Sequence, residues 1–280
     1  MNNVSLDWAA HAIATAEAFL IGAGAGMGVD SGLPDFRGKD GFWRAYPPYQ
    51  RLGLDFVGLA NPRWFAEDPT LAWGFYGHRM ALYRQTSPHE GFSILRRWAG
   101  AARHGGFVFT SNVDGQFQRA GFAPESIVEV HGSFEGMQCT RDCGAGIFRG
   151  ESFHVEIDPE SMRAIHPLPT CPQCGGLARP NILMFGDWGW DSATTDLQMN
   201  RLSSWILALD DARLVVIECG AGQAVPTVRI ACEKIARQAQ GTLVRINPRE
   251  PEVPTGHVSL ATGALDALRA LDERMNAFAR

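Results

Sequence analysis

Short apolar runs that stop at glycine or at polar residues recur along this chain. The first, residues 18–21, is followed directly by a glycine-rich turn. Runs of this length, bounded by turn residues, are typical of strands that are buried on both faces of a parallel sheet. Four further runs have the same form and comprise residues 106–110, 126–130, 213–217 and 241–246.

Segments with apolar residues at helical spacing separate these runs. Strands that alternate with helices predict an α/β fold with a doubly wound, mostly parallel Rossmann-like sheet. Ligands of such sheets bind at the carboxyl ends of the strands, where the glycine and polar residues of this chain fall. The helical segments comprise residues 8–18, 68–85, 89–104, 225–238 and 264–278.

Two segments interrupt the alternation. Residues 134–181 lack a long apolar run and contain four cysteines in two close pairs. We interpret them as a small metal-binding module inserted into a larger domain formed by residues 1–133 and 182–280. Residues 38–69 are rich in proline, glycine and aromatic residues. They predict a cofactor-binding or lid-like loop region that is ordered, because its aromatic side chains require burial.

Composition and charge narrow the class of protein. The 280 residues are 45% hydrophobic and carry a net charge of −5, with a pI near 5.9. This balance argues against binding nucleic acid through its phosphates and against a polybasic membrane contact. The chain has no apolar run of about eighteen residues and no basic leader followed by an apolar core. We therefore expect a cytoplasmic protein.

The paired cysteines are Cys139 with Cys143 and Cys171 with Cys174. In a chain without an export signal, close pairs indicate a metal site before they indicate disulfides. Four thiolates hold zinc tetrahedrally and leave no open position for a catalytic water. The quartet therefore predicts a structural zinc ion.

The glycine-rich turn contains Gly24-Ala25-Gly26, with Gly28 close behind. Glycines directly after a strand let the backbone approach a pyrophosphate and direct its N–H groups at it. Asp35-Phe36-Arg37 follows and adds an acid, an aromatic ring and a cation. The residues alone indicate a nucleotide or phosphate ligand, although such a turn is often only structural.

Together, Gly24-Ala25-Gly26 and residues 31–37 resemble the NAD-binding segment of the sirtuins, which are NAD-dependent protein-lysine deacylases. The resemblance implies that Ala25 and Phe36 line the nicotinamide end of NAD. It also implies that Asp35 and Arg37 hold the ribose and diphosphate region. Gly28 departs from the family, which usually has serine at this position.

A second group follows the strand at 106–110 and comprises Asn112, Asp114 and His131. A histidine at a strand end is a candidate general base, because its pKa lies near working pH. The three residues match the sirtuin pattern, which implies that His131 and Asn112 are catalytic and that Asn112 and Asp114 position the ribose and nicotinamide. Ser111 departs from it, because the family normally has a glutamine there.

Further matches concern the substrate and the adenosine half of NAD. Residues 179–187 resemble the family segment that pairs with the substrate, which implies Ile182, Leu183 and Phe185 as the acyl-lysine channel. Tyr76 and Arg79 lie three residues apart, on one face of a helix. They resemble a motif of one sirtuin branch that binds malonyl- or succinyl-lysine. Positions that match the adenosine site are Gly220, Gly222 and Asn247.

The resemblance implies an enzyme that consumes NAD and transfers the acyl group of a protein lysine to ADP-ribose. The products are nicotinamide, O-acyl-ADP-ribose and free lysine, and the acyl group is acetyl or, from Tyr76 and Arg79, succinyl or malonyl. Two alternatives stay open at this point. One is an NAD glycohydrolase or protein ADP-ribosyltransferase, and the other is a non-catalytic module that binds NAD or a peptide.

Overall fold

The structure is a computed structural model that describes residues 3–34, 42 and 46–278. Three of the residues expected to bind NAD, namely Asp35, Phe36 and Arg37, lie outside the described residues. Among the helices that are described, none combines the length and the apolar character needed to cross a membrane.

A six-stranded sheet forms the centre of the molecule, and all its strands are parallel. Its order is β3-β2-β1-β7-β8-β9, so the chain reverses its winding direction between β1 and β7. Ligands of doubly wound sheets bind at this switch point. The strands are β1 (Ala18–Ala23), β2 (Gly106–Thr110), β3 (Ile127–Glu129), β7 (Leu214–Cys219), β8 (Thr242–Ile246) and β9 (Val258–Leu260).

Helices cover both faces of this sheet. The helices of the described chain are α1 (Asn3–Ala14), a 3-10 helix (Ala25–Ser31), α2 (Pro47–Arg51), α3 (Phe56–Leu59), α4 (Trp64–Glu67), α5 (Pro69–Gln85), α6 (Glu90–Ala101), α7 (Gln116–Arg119), a 3-10 turn (Pro124–Ser126), α8 (Ala193–Leu207), α9 (Thr227–Gln238) and α10 (Ala264–Phe278). The cover consists mainly of α1, α6 and α10 on one face and of α8 and α9 on the other.

Strand β1 shows how the sequence builds the two layers. Its residues are buried without exception. Phe19 and Ile21 face the core formed with α1, α6 and α10. Ala18 and Leu20 face the opposite core, formed with α8 and α9. Because successive side chains of a strand point to opposite faces, an unbroken apolar run is what a strand covered on both sides requires.

The five predicted strands are confirmed, whereas β9, α8 and the short helices α2, α3, α4 and α7 were not predicted. Strand β9 is only three residues long and contains a serine, so it gives almost no pattern. Helix α8 exposes Leu197 and Leu207, with exposed fractions of 60% and 84%. Apolar residues on its outer face blur the separation of polar and apolar sides on which helix prediction depends.

The cysteine-containing segment forms a second, antiparallel sheet of order β5-β4-β6. Its strands are β4 (Gly132–Cys139), β5 (Phe148–Arg149) and β6 (Ala178–Ile182). The sheet therefore starts at Gly132, directly after His131. A break in register between Ser133 and Met137 kinks β4 against β6, and such irregularities often redirect a strand beside a site.

The described part of the region 38–69 is mainly helical and includes α2, α3 and α4. Local signals account for this, because prolines begin α2 and the Asp55 carboxylate accepts a hydrogen bond from Gly58 N–H at the start of α3. Tyr46, Tyr49 and Phe65 are buried against α5. The aromatic residues of this segment thus belong to a third core, shared with α5, β4 and β6.

Two glycine turns meet at the switch point. A Cβ added to Gly24 would lie 2.7 Å from Ala221 Cα, and one added to Gly26 would lie 2.7 Å from Gly220 Cα. Gly220 also has φ +62, in the left-handed region. The Gly26 N–H donates to the Gly220 carbonyl at 3.0 Å. Glycine is required on both sides because the two backbones touch.

We expect Gly220→Ala to lose much more stability than Gly53→Ala. Gly53 has φ +67 and no atom within 4 Å of an added Cβ, so it measures backbone strain alone, about 1–2 kcal/mol. At Gly220 the added Cβ would lie 2.4 Å from Gly26 C, which should cost about 2 kcal/mol more. Urea unfolding of both variants measures the difference. Equal losses of unfolding free energy would show that the contact between the two turns does not stabilise the protein.

Candidate active site

The carboxyl end of β1 leads into the glycine turn, and the end of β2 is bonded to it. The Thr110 hydroxyl donates to the Ala23 carbonyl at 3.0 Å. The Asn112 side chain donates from Nδ2 to the Gly24 carbonyl at 2.9 Å, and its N–H donates to Thr110 Oγ1. The predicted residues Gly24 and Asn112 are therefore brought together, and the bond fixes the orientation of the Asn112 amide.

His131 follows the neighbouring strand, β3, at the same edge. Burial lowers the pKa of its imidazole below the ordinary 6.5, and a backbone hydrogen bond to Ser111 opposes that shift. A ring N–H that donates to a carbonyl fixes the tautomer and leaves the other ring nitrogen as a proton acceptor. The geometry suits a histidine that is neutral at physiological pH and acts as a base.

Asp114 is buried at this edge. Burial raises the pKa of its carboxyl group, opposed by the Gln116 N–H, which donates to Oδ1 at 2.9 Å, and by the charges of Arg119 and Arg79. A Cβ placed on Gly28 would lie 3.7 Å from Asp114 Oδ2. Gly28, where this chain differs from the sirtuin pattern, thus lies beside Asp114.

The second glycine turn brings the ends of β7 and β8 to the site. The Gly220 N–H donates to the Ile246 carbonyl at 2.9 Å. Asn247 is buried, and its Nδ2 donates to the Ala221 carbonyl at 2.8 Å while its Oδ1 accepts from the Arg249 and Glu250 N–H groups. Gly222 is buried in the same turn. These bonds make Asn247 a brace of the turn.

The predicted channel residues continue from β6. Ile182 is buried in the aromatic core, whereas Leu183 and Phe185 keep 37% and 39% of their surface exposed. The Leu183 N–H donates to the His131 carbonyl at 2.9 Å, and the Phe185 N–H donates to the Ala60 carbonyl at 2.9 Å. Ala60 follows α3. The exposed apolar side chains therefore begin directly beside His131.

Tyr76 and Arg79 both lie on α5 and are almost completely buried. The Tyr76 hydroxyl has no hydrogen-bond partner within the part of the chain that the structure describes. The Arg79 guanidinium donates from Nε and Nη2 to the Tyr83 hydroxyl, at 3.1 and 2.7 Å. Its Cζ lies 5.1–5.6 Å from the centres of four aromatic rings. These rings belong to Phe56, Phe75, Tyr83 and Phe134.

Sequence reasoning missed three of these neighbours as site residues, namely Phe56, Tyr83 and Phe134. Phe56 contacts both Phe185, at a ring distance of 6.2 Å, and Arg79, so it links the channel segment to the cation. A buried arginine requires partners. The need of Arg79 for partners was therefore the signal by which its neighbours could have been sought. An aromatic residue four positions after Arg79 on a helix was the concrete clue to Tyr83.

The four paired cysteines come together as predicted, and their sulfur atoms all lie within 4.8 Å of one another. Cys139 Sγ is 3.6 Å from Cys174 Sγ, and Cys143 Sγ is 3.6 Å from Cys171 Sγ. Tetrahedral zinc with bonds of about 2.3 Å requires sulfur atoms about 3.8 Å apart. The cluster fits a structural zinc ion, which would join the end of β4 to the turn before β6.

A profile of the Sir2 family matches residues 24–208. The chain is 32% identical over 241 residues to a protein named NAD-dependent protein deacylase 1 from Archaeoglobus fulgidus, with 85% of this chain and 84% of that protein covered.

This chain belongs to the Sir2 family.

Solved Sir2 structures have the same fold. A Sir2 homologue variant in complex with ADP-ribose is 28% identical, with a TM-score of 0.70 and coverage of 100% of this chain and 98% of that one. A Sir2 homologue in complex with NAD is 27% identical, with a TM-score of 0.68 and coverage of 99% and 95%. The Rossmann-like sheet and the cysteine cluster of this Sir2 chain thus match the fold predicted from its sequence.

Removal of the metal should unfold the second sheet of this Sir2 protein first. Because Cys139 ends β4 and Cys171 and Cys174 precede β6, the thiolates hold the pairing of these strands. We expect a strong chelator to lower the melting temperature markedly, since structural zinc supplies roughly several kcal/mol of folding free energy. Calorimetry with and without added zinc measures this. An unchanged melting temperature after verified zinc loss would refute the structural role.

The pH dependence should report the His131 imidazole. Its pKa is lowered, so the base is neutral at pH 7 and activity should fall only when the pH drops below 6.5. We expect His131→Ala to reduce kcat by about 10²–10⁴. His154→Ala, at an exposed histidine, is the control. A pH profile of kcat/KM whose acidic limb lies above 6.5, or wild-type turnover by His131→Ala, would contradict the assignment.

Proposed function

We propose that this chain is an NAD-dependent protein-lysine deacylase that prefers acidic acyl groups, such as succinyl or malonyl, to acetyl. Support for the deacylase comes from membership of the Sir2 family and from the name of the Archaeoglobus relative. Support for the acyl preference comes from α5. Free lysine, nicotinamide and O-acyl-ADP-ribose would be the products.

NAD would occupy the switch point, where β1 and β7 end. The carboxyl edge offers the backbone groups of Gly24, Gly26 and Gly220, and amide side chains that are already oriented. When bound, NAD supplies an electrophilic ribose carbon and nicotinamide as the leaving group. Preorganised groups of this kind need no rearrangement when charge develops, which is the main contribution of a protein to such a reaction.

His131 would act as the base on the ribose hydroxyls. Its ring is oriented by Ser111 and is neutral at physiological pH because of burial. Asn112, fixed by its bond to the Gly24 carbonyl, would hold the ribose in front of it. Asp114 would receive the nicotinamide amide, since a buried carboxyl group gains from a hydrogen-bond donor.

The acyl-lysine would enter along Leu183 and Phe185. These residues are partly exposed and follow β6, and the Leu183 N–H donates to the His131 carbonyl. An extended peptide can pair with such a segment through its backbone. We propose that the peptide lies between the larger domain, residues 1–133 and 182–280, and the module formed by residues 134–181. The acyl chain would then point inward, past Phe56.

The acidic acyl preference depends on one observation, the buried Tyr76 hydroxyl without a partner among the described residues. A buried donor without an acceptor costs about 1–3 kcal/mol. Arg79 lies one helical turn away, with a buried guanidinium. A carboxylate at the end of the acyl chain would accept from the tyrosine and pair with the arginine, which no acetyl group can do.

The experiment compares kcat/KM for succinyl-, malonyl- and acetyl-lysine forms of one peptide. We expect the acidic forms to be better substrates of the unmodified protein. Arg79→Met should lower their kcat/KM by about 10- to 100-fold, because a charged hydrogen bond is worth about 1.5–3 kcal/mol, and it should leave acetyl turnover unchanged or improved.

Arg84→Met is the matched control. Arg84 lies on the same helix but donates to the carbonyls of Phe153 and Gly150, away from Tyr76. Its loss should not change the ratio between the acyl groups. Equal efficiencies on acetyl and succinyl peptides in the unmodified protein would disprove the acyl preference and leave the deacylase assignment intact.

A further inference from the structure

Tyr83 is hydrogen-bonded to the Arg79 guanidinium. Its hydroxyl accepts two hydrogen bonds from the guanidinium, from Nε at 3.1 Å and from Nη2 at 2.7 Å. The residue is one turn after Arg79 on α5 and is 6% exposed. The two bonds engage one complete edge of the planar guanidinium, and so they fix its plane as well as its position.

We propose that Tyr83 is a positioning residue for acyl selection, which presents Arg79 to the terminal carboxylate of the substrate. The inference rests on the proposed acidic acyl preference. Because Nε and Nη2 both donate to the Tyr83 hydroxyl, Tyr83 fixes the plane in which the guanidinium is presented to the acid.

The surroundings of Tyr83 are built to keep it in place. Its ring packs edge-on against Phe134 at 5.2 Å, and Phe134 also lies under Arg79, at 5.6 Å from Cζ. The Phe134 N–H donates to the Val113 carbonyl at 3.2 Å. Phe134 is three residues after His131, on β4. A residue of the strand that begins directly after His131 thus supports both Tyr83 and Arg79.

A rigid head group has a consequence for acyl length. The distance from the reacting carbonyl to the terminal carboxylate differs between malonyl, succinyl and glutaryl groups by one carbon each. An arginine side chain that changes rotamer can move its guanidinium to meet malonyl, succinyl or glutaryl groups, because arginine has considerable rotamer freedom. A guanidinium held at one edge should discriminate among them. Tyr83 therefore contributes to selection by length as well as by charge.

The experiment measures kcat and KM of Tyr83→Phe on malonyl, succinyl, glutaryl and acetyl forms of one peptide. We expect KM for the preferred acidic peptide to rise about tenfold, the usual effect of losing a bond to a charged group. Its kcat should change less than twofold, and acetyl kinetics should be unchanged. The ratio between the best and the worst of the three acids should shrink.

Two further variants separate positioning from packing. Tyr49→Phe removes a hydroxyl of the same aromatic core, which donates to the Met162 carbonyl at 2.9 Å, and should leave all acyl ratios unchanged. Tyr83→Gln removes the ring but supplies an acceptor oxygen. Its KM for the acidic peptide should therefore lie between those of Tyr83→Phe and the unmodified protein. Melting temperatures of all variants show whether the fold persists.

The results of these experiments separate the positioning role of Tyr83 from the acidic acyl preference on which it rests. If the unmodified protein prefers acids and Tyr83→Phe keeps or lowers their KM, Tyr83 is not a positioning residue and the acyl preference stands. A proportional loss on acidic and acetyl peptides alike would also overturn the inference, as it would indicate packing only. If the unmodified protein shows no acid preference, both proposals fail together.

Discussion

The contact between the two glycine turns is the constraint on which the candidate active site depends. The turn after β1 and the turn after β7 touch backbone to backbone at the switch point of the sheet. Two amide side chains of the carboxyl edge are each bonded to one of these turns. Asn112 is bonded to the Gly24 carbonyl, and Asn247 is bonded to the Ala221 carbonyl. The site is an outcome of this close approach.

A second constraint is the cost of burying charge in the aromatic core. Arg79 is buried among rings that carry no formal charge, together with the Tyr83 hydroxyl. Rings offer a cation their electron-rich faces, and the Tyr83 hydroxyl accepts two hydrogen bonds from the guanidinium. A buried cation that is linked through Phe56 to the partly exposed Phe185 is a feature that hydrophobic packing alone does not require. We read this as the mark of a ligand site.

Much of the fold and the chemistry could be predicted from the sequence because the signals are local. An apolar run such as residues 18–21 can only be buried on both faces, and Cys171 and Cys174 are close by spacing alone. Other features needed the folded chain. Phe56 and Phe134 reach Arg79 from distant segments, and no periodicity encodes that meeting. Helix α8 escaped prediction because its outer face is apolar at Leu197 and Leu207.

The most direct test of the account is the balance of products from NAD and one succinyl-lysine peptide. Nicotinamide, deacylated peptide and O-succinyl-ADP-ribose are quantified by mass spectrometry as the reaction proceeds. We expect equal amounts of all three products, and almost no nicotinamide when the peptide is omitted. Nicotinamide released at the same rate without the peptide would contradict it, because an enzyme that only cleaves NAD needs no acyl channel.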